Sequence, residues 1–200
     1  MTPSFAVEQT RQQMTARQTE VFHQLRDLYL DRGFAGLALD EAATELHCSK
    51  STIYALSATR EQLVRSVVVA FFRDAAELVE QRVAREQDPI RRIETYLAAV
   101  ADVLKPASAA FMDDVAAFAP AREIYQRNTA IATQRVRELL DEGIAAGAFR
   151  DVPAAFIAEV MSSVMVRIQQ RDISKNTGLT DAEAYRGLAT LIVHGVIHPA

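Results

Sequence analysis

The sequence predicts an all-α protein of about nine helices, and three observations predict it. Half of its 200 residues are apolar, whereas glycine and proline number only seven and six, a composition that favours helix over sheet. Apolar residues recur at spacings of three and four along most of the chain, which is the stripe of an amphipathic helix. No window alternates apolar and polar residues for long enough to indicate a strand. The length allows a sizeable core in one domain or in two small ones.

The first predicted elements are short and are joined by tight turns. We expect a loose polar arm over residues 1–14 and a first helix over 17–32, followed by Gly33, a residue typical of helix ends. The segments DEAATEL and KSTIYAL are predicted to be short helices separated by the turn HCS. Thr59 and Gln62 then have the spacing of a capping box, which indicates that a longer helix begins there.

Long helices with apolar faces make up the rest of the chain. The first of them is predicted from Arg60 to about residue 85, and the next begins at Pro89, behind the capping residue Asp88. Pro106 and Pro120 bracket a short helix over 107–117. The remaining helices are predicted to start at Ala121, with an end near Gly147, at Asp151-Pro153, and at Thr180, where Glu183 completes a second capping box.

The change from short to long elements near residue 63 predicts two parts, an N-terminal module of residues 1–63 and a larger helical body of residues 64–200. Within the module, residues 39–56 have the pattern of a helix, a turn and a second helix, with apolar side chains facing inward. A three-residue turn forces the two helices to cross steeply, and the first helix of the chain covers their apolar sides. This pattern is typical of a helix-turn-helix, whose second helix reads the major groove of DNA.

Side chains suited to DNA remain on the outward face of that second helix. A lysine can reach a phosphate or a guanine edge, hydroxyls reach bases or phosphates, and a tyrosine can donate to a phosphate. Between Leu46 and Arg60 there is no acidic residue, although the net charge of the chain is −4. We interpret this segment as a DNA-binding face that lacks carboxylates because they would repel phosphates. A structural helical corner with a polar rim is the alternative. The predicted DNA contacts are Ser49, Lys50, Ser51, Thr52, Tyr54 and Arg60.

The stretch RGFAGLALDEAATELHCSKSTIYALSATREQL resembles the tetracycline-repressor (TetR) family of bacterial regulators over residues 17–66. The resemblance implies an all-helical homodimer that binds a palindromic operator and carries a ligand pocket in its C-terminal part. The chain departs from the family pattern at Ala38, which removes a helix cap, and at His47, where the turn usually has glycine. It also departs at Leu56-Ser57. The matching positions are Gly33-Phe34, Ser49-Lys50, Thr52-x-Tyr54 and Arg60-Glu61-x-Leu63.

Two apolar helices, predicted over 154–168 and 182–197, offer a surface for a second copy of the chain. Such a pair could bury residues against a twin pair as a four-helix interface, or it could form the inner core of its own chain. The interface residues predicted are Phe156, Val160, Met161, Val164, Met165, Ile168, Leu188, Leu191 and Ile192.

The middle helices are the predicted place for a small-molecule effector. Aromatic and methionine side chains cluster there with few charges, which suits an apolar pocket but also a plain core. We expect a bound ligand to shift the helix that starts at Arg60 and so to change the spacing of the two recognition helices. The candidate lining residues are Tyr96, Phe111, Met112, Phe118 and Tyr125.

Other classes of function find little support in the sequence. It contains no glycine-rich phosphate loop, nucleophile elbow or HExxH, so we predict no enzyme. His194 and His198 lie four apart without an acid or cysteine partner, so we predict neither a metal site nor a cofactor.

The single Cys48 and the lack of a run of roughly 18 apolar residues favour a cytoplasmic protein that does not enter a membrane. The sequence thus predicts a repressor whose partners are double-stranded operator DNA, a second copy of itself and a small apolar effector. A helical interaction or architectural protein that retains the helix-turn-helix is the alternative.

Overall fold

The computed structural model describes residues 14–150 and 152–196, and over these ranges it contains ten helices. The predicted all-α fold is confirmed, with one helix more than expected. The predicted arm falls almost wholly outside the described residues, and so does His198. The helices are α1 (Ala16–Arg32), α2 (Leu39–Glu45), α3 (Lys50–Tyr54), α4 (Arg60–Val83), α5 (Pro89–Leu104), α6 (Ala109–Ala117), α7 (Ala119–Ala145), α8 (Ala154–Gln169), α9 (Asp172–Thr177) and α10 (Asp181–Val196).

Capping side chains begin α4, α5 and α10 where the sequence predicted them. Thr59 Oγ1 accepts from the backbone N–H of Gln62 at 3.1 Å. The N–H of Glu183 donates to Thr180 Oγ1 at 3.3 Å, and the N–H of Thr180 donates back to Glu183 Oε2 at 2.8 Å, which completes the predicted capping box. Asp88 caps α5 ahead of its proline.

The helix that sequence patterns did not indicate is α9. It has six residues, its N-cap Arg171 has a left-handed backbone with φ 64°, and no side chain caps it. Neither a capping box nor an apolar stripe therefore marks it.

A single apolar core runs through the chain, and α4 connects its two parts. The predicted boundary at residue 63 lies in the first turn of α4, which continues from the N-terminal module into the body and packs against α5 and α7. In the body, α5 packs against α10 and α7 against α8. The module is therefore attached to the body through a continuous helix, and a movement of α4 moves both parts.

One glycine of α7 allows a close approach in this core. An ideal Cβ on Gly143 would lie 2.1 Å from the ring of Phe149, which is buried after the helix ends. Only glycine fits at this point without displacing the ring. Over the described residues, no helix is both long enough and apolar enough to cross a membrane.

Candidate nucleic-acid interface and its link to the helical body

The predicted helix-turn-helix is formed by α2 and α3, and α1 packs against them. Ala42, Ala43 and Ile53 are buried, as their positions in the pattern predicted. Cys48 is half-buried at the turn. His47 has φ 47°, the left-handed conformation that favours glycine, so the turn is kept although a side chain replaces the usual glycine.

The predicted DNA contacts of α3 lie together on its outer surface. Ser49 caps the helix, because its Oγ accepts from the N–H of Thr52 at 3.2 Å, and the same Oγ lies 2.7 Å from the Oγ of Ser51. Tyr54 is 53% exposed and presents its ring and hydroxyl to solvent. Ser51, Lys50 and Tyr54 are therefore the side chains best exposed for a partner, while Ser49 and Thr52 also organise the start of the helix.

An acid from α2 lies beside this surface. The ammonium of Lys50 pairs with the carboxylate of Asp40, and both side chains are exposed. The interpretation that the face excludes acids holds for the segment 46–60 but is wrong for the folded surface, because α2 brings Asp40 to Lys50 across the turn. An exposed pair of this kind is worth only about 0.2–1 kcal/mol, so a DNA phosphate can compete for the lysine.

Arg60 has structural partners that its position in the sequence does not reveal. Its guanidinium donates to the carbonyl oxygens of Phe34, of Ala35 at 3.1 Å and of Leu37 at 3.2 Å. It therefore connects the start of α4 to the loop between α1 and α2. A guanidinium has five N–H donors, so the phosphate contact of Arg60 stays a prediction.

The same loop is held from the body by α6. Asp114 Oδ2 accepts from the backbone N–H groups of Phe34 at 2.5 Å and of Ala35 at 2.7 Å. Gly33 has φ 79°, and an ideal Cβ there would lie 2.5 Å from the same oxygen, so the approach requires glycine. We call residues 33–37, with Asp114 and Arg60, the interdomain latch. The sequence analysis did not identify Asp114 as a functional residue, because the residues that it contacts lie about 80 positions away. The one signal in the sequence was a pair of adjacent aspartates in an apolar helix.

Aromatic rings continue the latch into the body. The ring of Phe34 makes edge contacts with the rings of Phe111 and Phe118, each at a centroid distance of 6.0 Å. Phe111 in turn contacts Phe71 of α4 at 5.7 Å. Two of the predicted ligand-lining residues therefore stand where the loop, α4 and α6 meet.

The other predicted lining residues are also well packed. Tyr96, Met112 and Tyr125 are buried, and Tyr125 stacks on Phe72 at 4.9 Å. Two surface grooves are present among the described residues, and neither is lined by any of the five candidates. Their role in ligand binding stays a prediction, and the plain-core alternative stays open.

A buried polar cluster next to Tyr125 was missed from sequence. Arg171, only 6% exposed, pairs with the buried Asp181 and donates from Nε to Asp113 Oδ1 of α6 at 2.7 Å. The hydroxyl of Tyr125 donates to Asp181 Oδ2 at 3.4 Å and lies 3.5 Å from the hydroxyl of Tyr185. Burial raises the pKa of Asp181, and the charge of Arg171 opposes that rise.

Two adjacent carboxylates of α6 therefore connect to different parts of the protein. Asp113 contacts Arg171 in the body, and Asp114 contacts the loop that leads into the helix-turn-helix. A displacement of α6 cannot leave both contacts unchanged.

The surface predicted for a second chain divides into exposed and buried residues. Phe156 is 63% and Leu191 74% exposed, Val160 is also exposed, and Val164 is half-buried. An added Cβ at Gly187 or Gly195 would meet no neighbour, which shows that this side of α10 is open. The helical period turns the other five toward the core of their own chain, where they are buried, so their part in an interface stays a prediction: Met161, Met165, Ile168, Leu188 and Ile192.

Several solved structures with this architecture are transcriptional regulators. The chain is similar to a transcriptional regulator from Saccharomonospora viridis in complex with choline, with a TM-score of 0.69 and 16% identity over 92% of this chain and 98% of that one. It is similar to a TetR/AcrR-family regulator from Thermobifida fusca, with a TM-score of 0.64 and 19% identity over 90% and 98%. It is also similar to AibR in complex with isovaleryl coenzyme A and operator DNA, with a TM-score of 0.58 and 16% identity over 88% and 97%.

The chain thus has the fold of the TetR/AcrR regulators along nearly its whole length. No protein-family model matches the sequence, and no curated protein matches it either.

Proposed function

We propose that this protein is a ligand-responsive, DNA-binding transcriptional regulator that acts as a homodimer in the cytoplasm and represses until an effector binds. The observation that carries the proposal is the outer face of α3. It presents Lys50, Ser51 and Tyr54 to solvent on a helix-turn-helix, in a chain with the fold of known regulators. Side chains of these types contact phosphates and base edges in a major groove.

Dimer formation is supported by the exposed apolar residues of α8 and α10. Exposed large apolar side chains on neighbouring helices favour an interaction site. Phe156 and Val160 of α8 and Leu191 of α10 are exposed, and the two helices contact each other. A two-fold pair of chains would offer two copies of α3 to half-sites about 34–36 Å apart on one side of the DNA. One copy alone, with so few basic residues, would bind weakly.

Control by a ligand is supported by the position of α6. This helix contacts the body through Asp113 and the latch through Asp114. A ligand that binds one position of α6 more tightly than another shifts the population of the latch and hence the orientation of α2 and α3. Among the similar structures, one regulator holds choline and another holds isovaleryl coenzyme A with operator DNA.

The test is fluorescence anisotropy with labelled DNA from upstream of the protein's own gene, measured over a range of salt concentrations. We expect a specific, salt-sensitive complex. Lys50→Ala should weaken it and reduce the salt slope by about two, because each chain of the dimer loses one phosphate contact. Tyr54→Phe should weaken it less, since it removes one hydroxyl.

Arg91→Gln is the matched control, because it removes an exposed cation at the start of α5, at the far end from the latch. It should leave the affinity unchanged. A random-sequence selection that returns no preferred site would refute the regulator and favour the interaction-protein alternative. Equal losses for Lys50→Ala and Arg91→Gln would show that α3 is not the reading helix.

A further inference from the structure

A surface groove of about 250 Å³ opens where the end of α5, its connection to α6 and the start of α10 meet. Leu104, Ala107 and Ala182 form its apolar wall. Lys105 and Arg186 line it as well and bring two cationic groups to its edge. The groove therefore combines apolar side chains with two cations and the carboxylate of Glu183.

Three cations share one carboxylate at this edge. Asp102 Oδ1 is contacted by Lys105 Nζ at 2.7 Å and by an Arg186 nitrogen at 3.4 Å, and Oδ2 is contacted by Arg82 at 3.1 Å. The hydrogen bond from Lys105, reinforced by Arg82, holds the pKa of Asp102 below its usual value. These four side chains carry a net charge of +2, and the carboxylate of Glu183, which also lines the groove, lowers the local net charge to +1.

The two cations at the groove have more N–H donors than the neighbouring carboxylate Asp102 can accept. An ammonium has three N–H donors and a guanidinium five, and Asp102 is their common acceptor. The acid that lines the groove, Glu183, accepts from the N–H and the hydroxyl of Thr180, both at 2.8 Å, in the capping box of α10. A further anion would therefore find unused donors.

We propose that this groove is the effector site and that the effector is a small organic anion. Its carboxylate or phosphate group bridges Lys105 and Arg186, and its apolar part lies on Leu104, Ala107 and Ala182. Both cations already lie within 3.4 Å of one oxygen of Asp102, so their spacing also suits an oxygen of a bound anion. Charge-assisted hydrogen bonds of this kind are about twice as strong as neutral ones. The proposal rests on the proposed function, because it names the effector class of that regulator.

The groove is linked to the DNA-binding module by a short path. Ala107 in its wall precedes Ser108, whose N–H donates to the carbonyl oxygen of Leu30, near the end of α1, at 2.8 Å. An anion that joins Lys105 to Arg186 holds the connection between α5 and α6 against α10. The occupied groove therefore favours one position of α6 and of the latch, and this differential affinity is what shifts the equilibrium.

Binding is tested by calorimetric titration of the full chain with inorganic phosphate and with straight-chain carboxylates from acetate to hexanoate, at constant ionic strength. Carboxylate affinity should rise about fourfold for each CH₂ that the apolar wall covers. Lys105→Ala and Arg186→Gln should each weaken binding at least about tenfold, since each removes a charge-assisted contact. Arg91→Gln, about 20 Å from Lys105 along the same helix, should have no effect.

Two results of this titration would overturn the proposal. Absent binding, or binding that Lys105→Ala and Arg186→Gln leave unchanged, means that the groove is not an anion site. Phosphate binding without carboxylate binding, or the reverse, identifies the headgroup within the proposed class. Circular dichroism of both variants checks that their helices are intact; the two side chains are about half exposed, so we expect no loss of folding.

A second measurement separates this proposal from the proposed function. Anisotropy with the upstream DNA is repeated with and without the tightest anion of the series. If the anion leaves specific DNA binding unchanged, the groove is not the effector site, but the proposed DNA-binding function is retained. Anion binding through Lys105 and Arg186 without any specific DNA complex sinks the regulator and leaves the groove as an anion site only.

Discussion

Replacing Asp114 by alanine tests the latch directly. One oxygen of this side chain accepts from the N–H groups of Phe34 and Ala35, at 2.5 and 2.7 Å, and so joins α6 to the loop that leads into α2. The substitution removes both contacts and leaves the part-buried N–H of Phe34 without its acceptor. We expect it to destabilise the protein and to loosen the helix-turn-helix relative to the body.

The size of the effect follows from the contacts. A hydrogen bond to a charged group contributes about 1.5–3 kcal/mol. The two bonds share one oxygen, and that to Ala35 is exposed, so we expect a loss of about 2–3 kcal/mol rather than the sum of two full values. For a chain of this length, each kcal/mol lowers the melting temperature by about 2–4 °C. Asp114→Asn keeps an acceptor without the charge and should lose about half as much.

Urea unfolding followed by circular dichroism measures the free energy of unfolding, and anisotropy with operator DNA measures the functional effect. Asp141→Ala is the control, because that carboxylate is exposed and, among the residues that the structure describes, pairs only with Arg137 at 3.9 Å on the same helix. Its loss should stay below about 0.5 kcal/mol. If Asp114→Ala proves as stable as Asp141→Ala, the latch contributes nothing to folding and the reasoning is refuted. If stability falls but operator affinity is unchanged, the latch does not position α2 and α3.

Three further substitutions test other parts of the structure. Gly143→Ala should destabilise the protein, because the new Cβ would lie 2.1 Å from the ring of Phe149. Overpacking costs about 1–3 kcal/mol, which offsets the roughly 1 kcal/mol gained in helix propensity. A higher melting temperature would show that the ring moves freely. Leu191→Glu should convert a dimer into a monomer in light scattering, and an unchanged mass would exclude the α8–α10 face as the interface. Asp40→Asn should raise affinity for DNA a few-fold at low salt by releasing Lys50 from its carboxylate; a loss of affinity would mean that Asp40 itself reads the DNA.

Local hydrogen bonds explain what could be read from the sequence. The N-cap at Thr59, the capping box at Thr180, the stop at Gly33 and the left-handed turn at His47 all depend on groups within a few positions of one another. Their spacing therefore predicted the helices and the helix-turn-helix before any packing was known. The short α9 lacked such a signal, because Arg171 begins it without a side-chain cap.

The partners of the charged residues were decided by the tertiary structure alone. The sequence predicted that Arg60 contacts a phosphate. In the structure its guanidinium donates to carbonyl oxygens of residues 23 to 26 positions away. Asp114 meets Phe34 across 80 positions, and Asp113 meets Arg171 across 58. Likewise, a helix that is apolar all round, as α8 nearly is, does not reveal which side a neighbour covers. Periodicity describes a single helix, but the pairing of helices depends on how their surfaces fit, and that information is spread over the whole chain.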